Sequence, residues 1–361
     1  MNTDYDVIVV GSGPAGSSTA EHAALGGARV LVLERKKAVG EPVACGEFLP
    51  ILDEIKATFP DAEDLEPVFD IPASLISREI DLIRILSPRS RGFDIPFLGY
   101  TTDRDRFDKH LASKAEKAGA VIRTSSMVTS VKEGEVHTRD EVYSAKVVVG
   151  ADGPISKVAM GLGLQRNGDL YPAVTSQATG AFDSTMEMYF GGLAPGAYAW
   201  VLPKRNGANV GVGVAPKFSD GRVGDYFQEF IRMRKLEVTG RPIGKYVPSN
   251  GPVPRTFTSS GLLVGDAAGH VMAVNGGGIP IAMICGRIAG RTIADHLRNG
   301  TPLSSYEESW RRQVYKPLRT AVRTKMLASL FFGGPRRLEF SMRFLGPRRM
   351  GNILRCRPSF P

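Results

Sequence analysis

The sequence predicts a mixed α/β protein, α+β overall, in which a parallel sheet is interrupted by an antiparallel one and followed by basic helices. Three observations carry this. "DYDVIVVGSGPAGSSTAEHAALGGARVLVLERK" has the order strand, glycine turn, helix, strand. From about residue 165 to 250 the pattern alternates, as in "AYAWVLP" and "NVGVGVA". The buried-strand style then returns at "GLLVGDAAG" and leads into a long helix.

Val7 to Val10 and Val30 to Leu33 are continuous apolar runs, the mark of strands covered on both faces. Residues 104 to 120 place Phe107, Leu111, Ala115 and Ala118 at helical spacing and stop at Gly119. "SAKVVVGADG" is a further buried strand and turn. The alternating middle suits half-buried antiparallel strands. "GGGIPIAMICGRIAGRTIADHLRNG" opens a long helix, and beyond 303 the chain is helical and basic. A discontinuous nucleotide-binding domain is therefore expected from residues 1–60, 100–160 and 255–300. The inserted sheet domain is expected from 61–99 and 161–254, and a basic helical region from 301–361.

The 361 residues suffice for a large core and about two to three structural units. Three scattered cysteines and five unpaired histidines offer no metal-ligand spacing, and an odd cysteine count suits a reducing compartment. Met1 to Asp6 is polar and leads straight into a strand, so a cytoplasmic protein is expected. The apolar stretch near 261–286 is interrupted by Asp266, His270, Asn275 and three glycines, which argues against a membrane span. The net charge of +9 is uneven. From Arg311 onward there are 13 Lys/Arg against one acid, while the rest holds 33 basic and 36 acidic residues. Arginines there alternate with leucine, methionine and phenylalanine. That suits helices on an anionic membrane surface, and a peripheral location is expected. No nucleic-acid module is present, so nucleic acid is not expected as a partner.

Gly11-Ser12-Gly13-Pro14-Ala15-Gly16 is a G-x-G-x-x-G on a strand-to-helix turn, the Rossmann-type dinucleotide signature. Gly11 permits the turn, Gly13 lets a pyrophosphate approach the backbone, and Gly16 lets helix and strand pack closely. The helix N-terminus offers free N–H groups to phosphate. Glu34 lies 18 residues beyond Gly16, at the end of the second strand, where a carboxylate accepts from ribose hydroxyls. An acid there disfavours a 2′-phosphate, leaving FAD or NAD. "GDAAGHVMAVNGGGI" separates the two. Asp266 suits a second ribose or a ribityl chain, and Gly276 to Gly278 before a helix suits the anionic edge of a reduced isoalloxazine. FAD is the expected cofactor.

With "GADG" at 150–153, these motifs resemble the para-hydroxybenzoate-hydroxylase type of FAD fold. "GEPVACGE", "TTDRDRFDKHLASKAEKAGA" and "PGAYAWVLP" further resemble the geranylgeranyl reductase family, which includes archaeal digeranylgeranylglycerophospholipid reductases. The resemblance covers roughly residues 4 to 300. It implies FAD contacts at Ala15, Glu34, Cys45, Gly46, Phe48, Arg104, Val128, Asp266, Gly278 and Ile279. It sets the Cys45 loop over the flavin, where a thiol can line the pocket, position an alkene or deliver a proton; the plain alternative is a small buried residue. It makes Tyr198 and Trp200, two residues apart on one strand face, a wall for an isoprenoid chain, with Gly211 and Gly213 leaving room beside them.

The implied function is an FAD-dependent reductase that saturates C=C bonds of geranylgeranyl chains in membrane-lipid precursors, by hydride transfer from flavin N5. No second glycine loop is found for a nicotinamide cofactor. NADPH would therefore bind transiently, or a ferredoxin-like protein would donate electrons. The alternatives are a flavin monooxygenase or halogenase on the same scaffold, and a non-catalytic flavin- or membrane-binding protein.

Overall fold

The computed structural model describes residues 5–132 and 134–358; the polar residues 1–4 noted above lie outside them. The first sheet is built from β1 (Tyr5–Val10), β2 (Val30–Leu33), β6 (Val121–Arg123), β9 (Val142–Gly150) and β15 (Gly261–Leu263), all parallel. A small antiparallel extension, β7 (Ser130–Lys132) and β8 (Glu135–His137), continues from the start of β9. Its sequence segments are far apart, as a discontinuous nucleotide-binding unit requires.

The second sheet has eight strands in the order β14-β10-β13-β12-β11-β4-β5-β3. These are β3 (Phe48–Pro50), β4 (Ile76–Leu86), β5 (Gly92–Thr102), β10 (Leu170–Thr179), β11 (Thr185–Gly191), β12 (Ala194–Lys204), β13 (Gly207–Gly213) and β14 (Glu237–Pro248). All its pairings are antiparallel except β4 with β11. The edge strand β3 comes from within residues 1–60, because Phe48–Pro50 pairs with β5 rather than with the parallel sheet.

The helices are α1 (Pro14–Leu25), α2 (Leu52–Thr58), α3 (Arg104–Lys117), α4 (Lys157–Gly161), α5 (Val223–Arg234), α6 (Ile279–Asn299), α7 (Ser304–Ser329) and α8 (Pro335–Leu354). α6 is buried almost throughout its first half, which explains the apolar stretch in the sequence. It lies against α1 at backbone distance: a Cβ on Gly286 would sit 2.5 Å from the Ala15 carbonyl oxygen, and one on Gly290 2.6 Å from that of Thr19. Among the described residues no helix is long and apolar enough to cross a membrane.

The alternation read in β12 has a physical cause. Ala199 and Val201 face a cluster capped by Phe227 and Phe230 of α5. Trp200 and Leu202 face the opposite cluster, closed by Leu338, Met342, Met350 and Leu354 of α8. α8 breaks its course at Gly346 (φ 62, ψ 173), followed by Pro347, and so wraps the sheet. The basic C-terminal region thus has a buried face that seals one side of the second sheet.

Candidate active site

Between the two sheets runs one continuous cavity of about 1480 Å³. A single ligand pocket typically measures roughly 300–1,000 Å³, so the volume suits two ligands end to end.

At one end lies the glycine turn. Gly11 has φ +100, and a Cβ on it would sit 2.4 Å from the Ala151 carbonyl oxygen, so that the "GADG" turn excludes any side chain there. Gly13 caps α1, and a Cβ on it would meet nothing within 4 Å: it faces the cavity. Gly16 is internal, its Cβ position only 1.9 Å from the Gly11 carbonyl oxygen. Glu34 is buried and accepts from Ser12 N and Ser12 Oγ, each at 2.9 Å, and from Lys36 N at 2.9 Å. These bonds lock the β2 end beside the turn.

Ala15, Arg104 and Val128 also line this end. The Arg104 guanidinium is held by both Asp108 carboxylate oxygens at 2.9 Å and is mostly buried. Burial opposes its charge, but the surrounding groups, Asp108 foremost with Cys45 and Glu47, together hold its pKa above the ordinary value.

Asp266 lies midway, with Lys245 Nζ of β14 at 3.2 Å from its carboxylate. Asp266 raises the lysine pKa, so Lys245 carries a full positive charge on the cavity wall. The glycine loop comes next, with Gly276 at φ +71. Gly276 N–H donates to Met272 O at 2.8 Å and Gly277 N–H to Asn275 Oδ1 at 3.0 Å. The donors offered by the α6 N-terminus therefore begin at Gly278, rather than all three glycines being bare.

Cys45, Gly46 and Phe48 line the junction, as do Tyr198 and Trp200 on β12 and Gly278 and Ile279. Cys45 Sγ accepts from the Glu47 N–H at 3.3 Å. Tyr198 donates to the Asn275 carbonyl of the glycine loop, and burial raises its pKa, so the phenol stays protonated. Its ring meets Trp200 edge-on at 5.9 Å. Trp200 pairs with Gly211 across the sheet, and a Cβ there would lie 2.2 Å from the indole: the second glycine motif makes room for the ring. Beyond Trp200 the wall is apolar, with Ile83, Phe97, Met186, Met188, Leu338 and Met342.

Every residue expected from the sequence thus lies on this cavity except Gly16 and Gly211, which pack behind it. Sequence reasoning missed Glu47, Lys204, Asn209 and Lys245. The one signal for Glu47 was an acid directly after Cys-Gly. Lys245 reaches the cavity wall, and Asn209 comes to lie behind it, only through strand pairing, and neither carried any signal.

The fold and the cradle define a Rossmann-type FAD-dependent oxidoreductase. Residues 173–247 match the geranylgeranyl reductase catalytic domain, and residues 6–196 match glucose inhibited division protein A. The chain is 34% identical to digeranylgeranylglycerophospholipid reductase 2 of Methanothermobacter thermautotrophicus, covering 97% of this chain and 94% of the relative. It is 30% identical to the reductase of that name from Methanococcus aeolicus, covering 92% and 88%. A geranylgeranyl bacteriochlorophyll reductase-like structure from Thermoplasma acidophilum superposes with a TM-score of 0.80 at 26% identity, covering 93% and 90%. A flavin-dependent brominase shares the fold (TM-score 0.70, 19% identity, covering 98% and 92%). The chain belongs to the geranylgeranyl reductase family.

Proposed function

We propose that the cavity holds FAD and a geranylgeranyl chain in line, and that the protein saturates prenyl C=C bonds of a membrane-lipid precursor. The carrying observation is the single cavity with a nucleotide cradle at one end and an aliphatic and aromatic wall at the other. The residues fit the cofactor: the space above Gly13 is open, Glu34 ends β2 beside it, and a glycine-opened helix faces the junction. Gly11, Gly13, Ala15, Gly16, Glu34, Arg104 and Val128 would hold the adenosine and pyrophosphate half. Asp266, Gly278, Ile279, Cys45, Gly46 and Phe48 would hold the ribityl and ring half.

Bound at this junction and reduced, FAD would supply the hydride, and the alkene would take a proton at its other carbon. An isolated alkene is a poor hydride acceptor, so the protein must position it and exclude water. Trp200, the ring of Tyr198 and the apolar wall serve both ends, because they surround the chain with hydrocarbon. The α6 N-terminus stabilises negative charge at the junction by about 0.3–1 kcal/mol. Tyr198, protonated and fixed to the glycine loop, holds that loop in place. Cys45 positions the alkene or delivers the proton.

The lipid enters from a membrane surface. Phe340 and Phe344 of α8 are 70% and 61% exposed, and with Leu327 and Phe331 they rim the same cavity beside Arg336 and Arg337. Aromatic side chains flanked by arginine suit an anionic interface. Electrons come from NADPH bound transiently or from a ferredoxin-like protein; anaerobic flavin bleaching by one and not the other decides. The function is tested by anaerobic incubation of dithionite-reduced protein with geranylgeranyl glycerophospholipids. A gain of two hydrogens per reduced alkene is expected in the mass spectrum, and unchanged lipid would refute the reading.

A further inference from the structure

The Cys45 loop and the Trp200 wall come from distant parts of the chain, and one buried side chain joins them. Asn209 on β13 is 0% exposed and does not reach the cavity. Its Oδ1 accepts from Trp200 Nε1 at 2.8 Å and from Thr175 Oγ1 at 3.1 Å. Its Nδ2 donates to the Cys45 carbonyl at 2.9 Å and to Glu47 Oε2 at 2.8 Å. The amide orientation follows from chemistry: an indole N–H only donates, and the carbonyl and carboxylate only accept. The amide is thus bonded to the wall through Trp200 and to the loop through both its N–H groups, while the single Thr175 hydroxyl proton is shared between Asn209 Oδ1 and the Val210 carbonyl at 3.1 Å each.

Glu47 extends the connection. Its buried carboxylate also accepts from Gln177 Nε2 at 2.7 Å, Lys204 Nζ at 2.9 Å and the Arg104 N–H at 3.0 Å. Lys204 in turn bridges to Asp103 at 2.8 Å, just before α3. Glu47 adopts φ +67, a conformation that residues other than glycine hold only when their surroundings fix them. The loop also touches the wall directly: a Cβ on Gly46 would lie 3.1 Å from Leu202 Cδ1 and 3.9 Å from Trp200 Nε1.

We propose that Asn209 is a positioning residue that fixes the spacing between the Cys45–Gly46 loop and the Trp200 indole, and hence the register of the flavin side of the cavity against its lipid side. A leucine at 209 would fill the same space, so packing alone does not call for an amide. The amide supplies a bridge of fixed length that apolar contacts cannot. The kinetic consequence rests on the reductase reading, whereas the structural one does not.

Cys45 offers a direct readout, since it is partly exposed while Cys285 and Cys356 are buried. Burial pushes the Cys356 thiol up to about 12 and also raises that of Cys285, so iodoacetamide reads Cys45 in the folded protein. Alkylation is followed by peptide mass spectrometry in full-length Asn209→Asp, which replaces the donors to the loop with a second carboxylate facing Glu47. Asn209→Leu removes both sides and serves if the first variant does not fold. Thr175→Val is the control, because it removes the hydroxyl that Asn209 Oδ1 shares with the Val210 carbonyl without touching the loop. Labelling at least tenfold faster in either Asn209 variant is expected, against less than a twofold change in Thr175→Val. In prenyl reduction, kcat should fall at least tenfold with a smaller change in KM. Labelling within twofold of wild type in both folded Asn209 variants, or equal loosening by Thr175→Val, would overturn the proposal. If the unsubstituted protein reduces no lipid, the reductase reading fails, and the labelling contrast still decides the role of Asn209.

Discussion

Two glycines three residues apart should respond in opposite ways to the same methyl group. Gly13 has φ −70 and ψ −177, which alanine adopts freely, and its Cβ would point into open cavity. In the cofactor-free protein, Gly13→Ala gains about 0.4–1 kcal/mol by restricting the unfolded chain. It gives back several tenths because alanine caps a helix less well than glycine. Apo stability should therefore stay within roughly 0.5 kcal/mol of the parent. The methyl group, however, occupies the approach to a pyrophosphate, so FAD affinity should drop at least tenfold, about 1.4 kcal/mol. At Gly16 the Cβ would lie 1.9 Å from the Gly11 carbonyl oxygen, 3.0 Å from its carbon and 3.1 Å from the Ala151 Cβ, and two of those three neighbours are backbone. Relief requires the β1 end and α1 to separate, at an overpacking cost of about 1–3 kcal/mol. Urea unfolding of the apo proteins and flavin-fluorescence titration measure both quantities. Gly13→Ala binding FAD as tightly as the parent would refute the cradle, and Gly16→Ala as stable as the parent would refute the packing argument.

Gly211→Ala should displace the Trp200 indole, which its Cβ would approach to 2.2 Å, and break the bond to Asn209. A loss of about 2–4 kcal/mol in unfolding free energy and a raised KM for prenyl lipid are expected. His270 is fully buried on Trp310 with neither ring nitrogen hydrogen-bonded among the described residues, and burial, helped by Arg311, depresses its pKa to about 3. Its unfolded pKa is about 6.5, so below that pH the unfolded chain takes up a proton that the folded one refuses. Stability present above pH 6.5 is then lost as pH falls toward 3, by roughly 2 kcal/mol between pH 6.5 and 5. His270→Phe should flatten that part of the stability profile, and an unchanged slope would count against it. Phe340→Ser with Phe344→Ser should weaken sedimentation with phosphatidylglycerol vesicles at least fivefold while leaving FAD binding intact; equal sedimentation would remove these side chains from the membrane surface.

What was legible in the sequence was local. The glycine turn, Glu34 and the strand runs sit within about 30 residues of one another, so spacing alone fixes their geometry. The face shared by Tyr198 and Trp200 follows from the two-residue period of a strand. The cross-strand partner of Trp200 does not, since Gly211 meets it only through the β12–β13 register. Asn209 and Glu47 are 162 positions apart, and nothing in either neighbourhood announces the other. The C-terminal helices were legible as basic and amphipathic, but the break at Gly346 that turns α8 onto the second sheet depends on tertiary packing.

Fold alone does not separate a prenyl reductase from a halogenase or monooxygenase, since a brominase at 19% identity superposes over nearly the whole chain. The lipid side of the cavity does. A compact polar substrate needs hydrogen-bonding partners that fix its orientation, and leaving such groups unpaired in an apolar wall would cost affinity. Here Ile83, Ile85, Met186, Met188, Leu338 and Met342 offer none. A long hydrocarbon with nothing to hydrogen-bond loses no partner on entering such a wall, and it gains burial along its whole length. The flexible methionines accommodate successive segments of a repeating chain without a fixed shape. Under the proposed function, a wall of this kind would bind by length and leave register to one point, the part of the lining that holds Cys45, Tyr198 and Trp200.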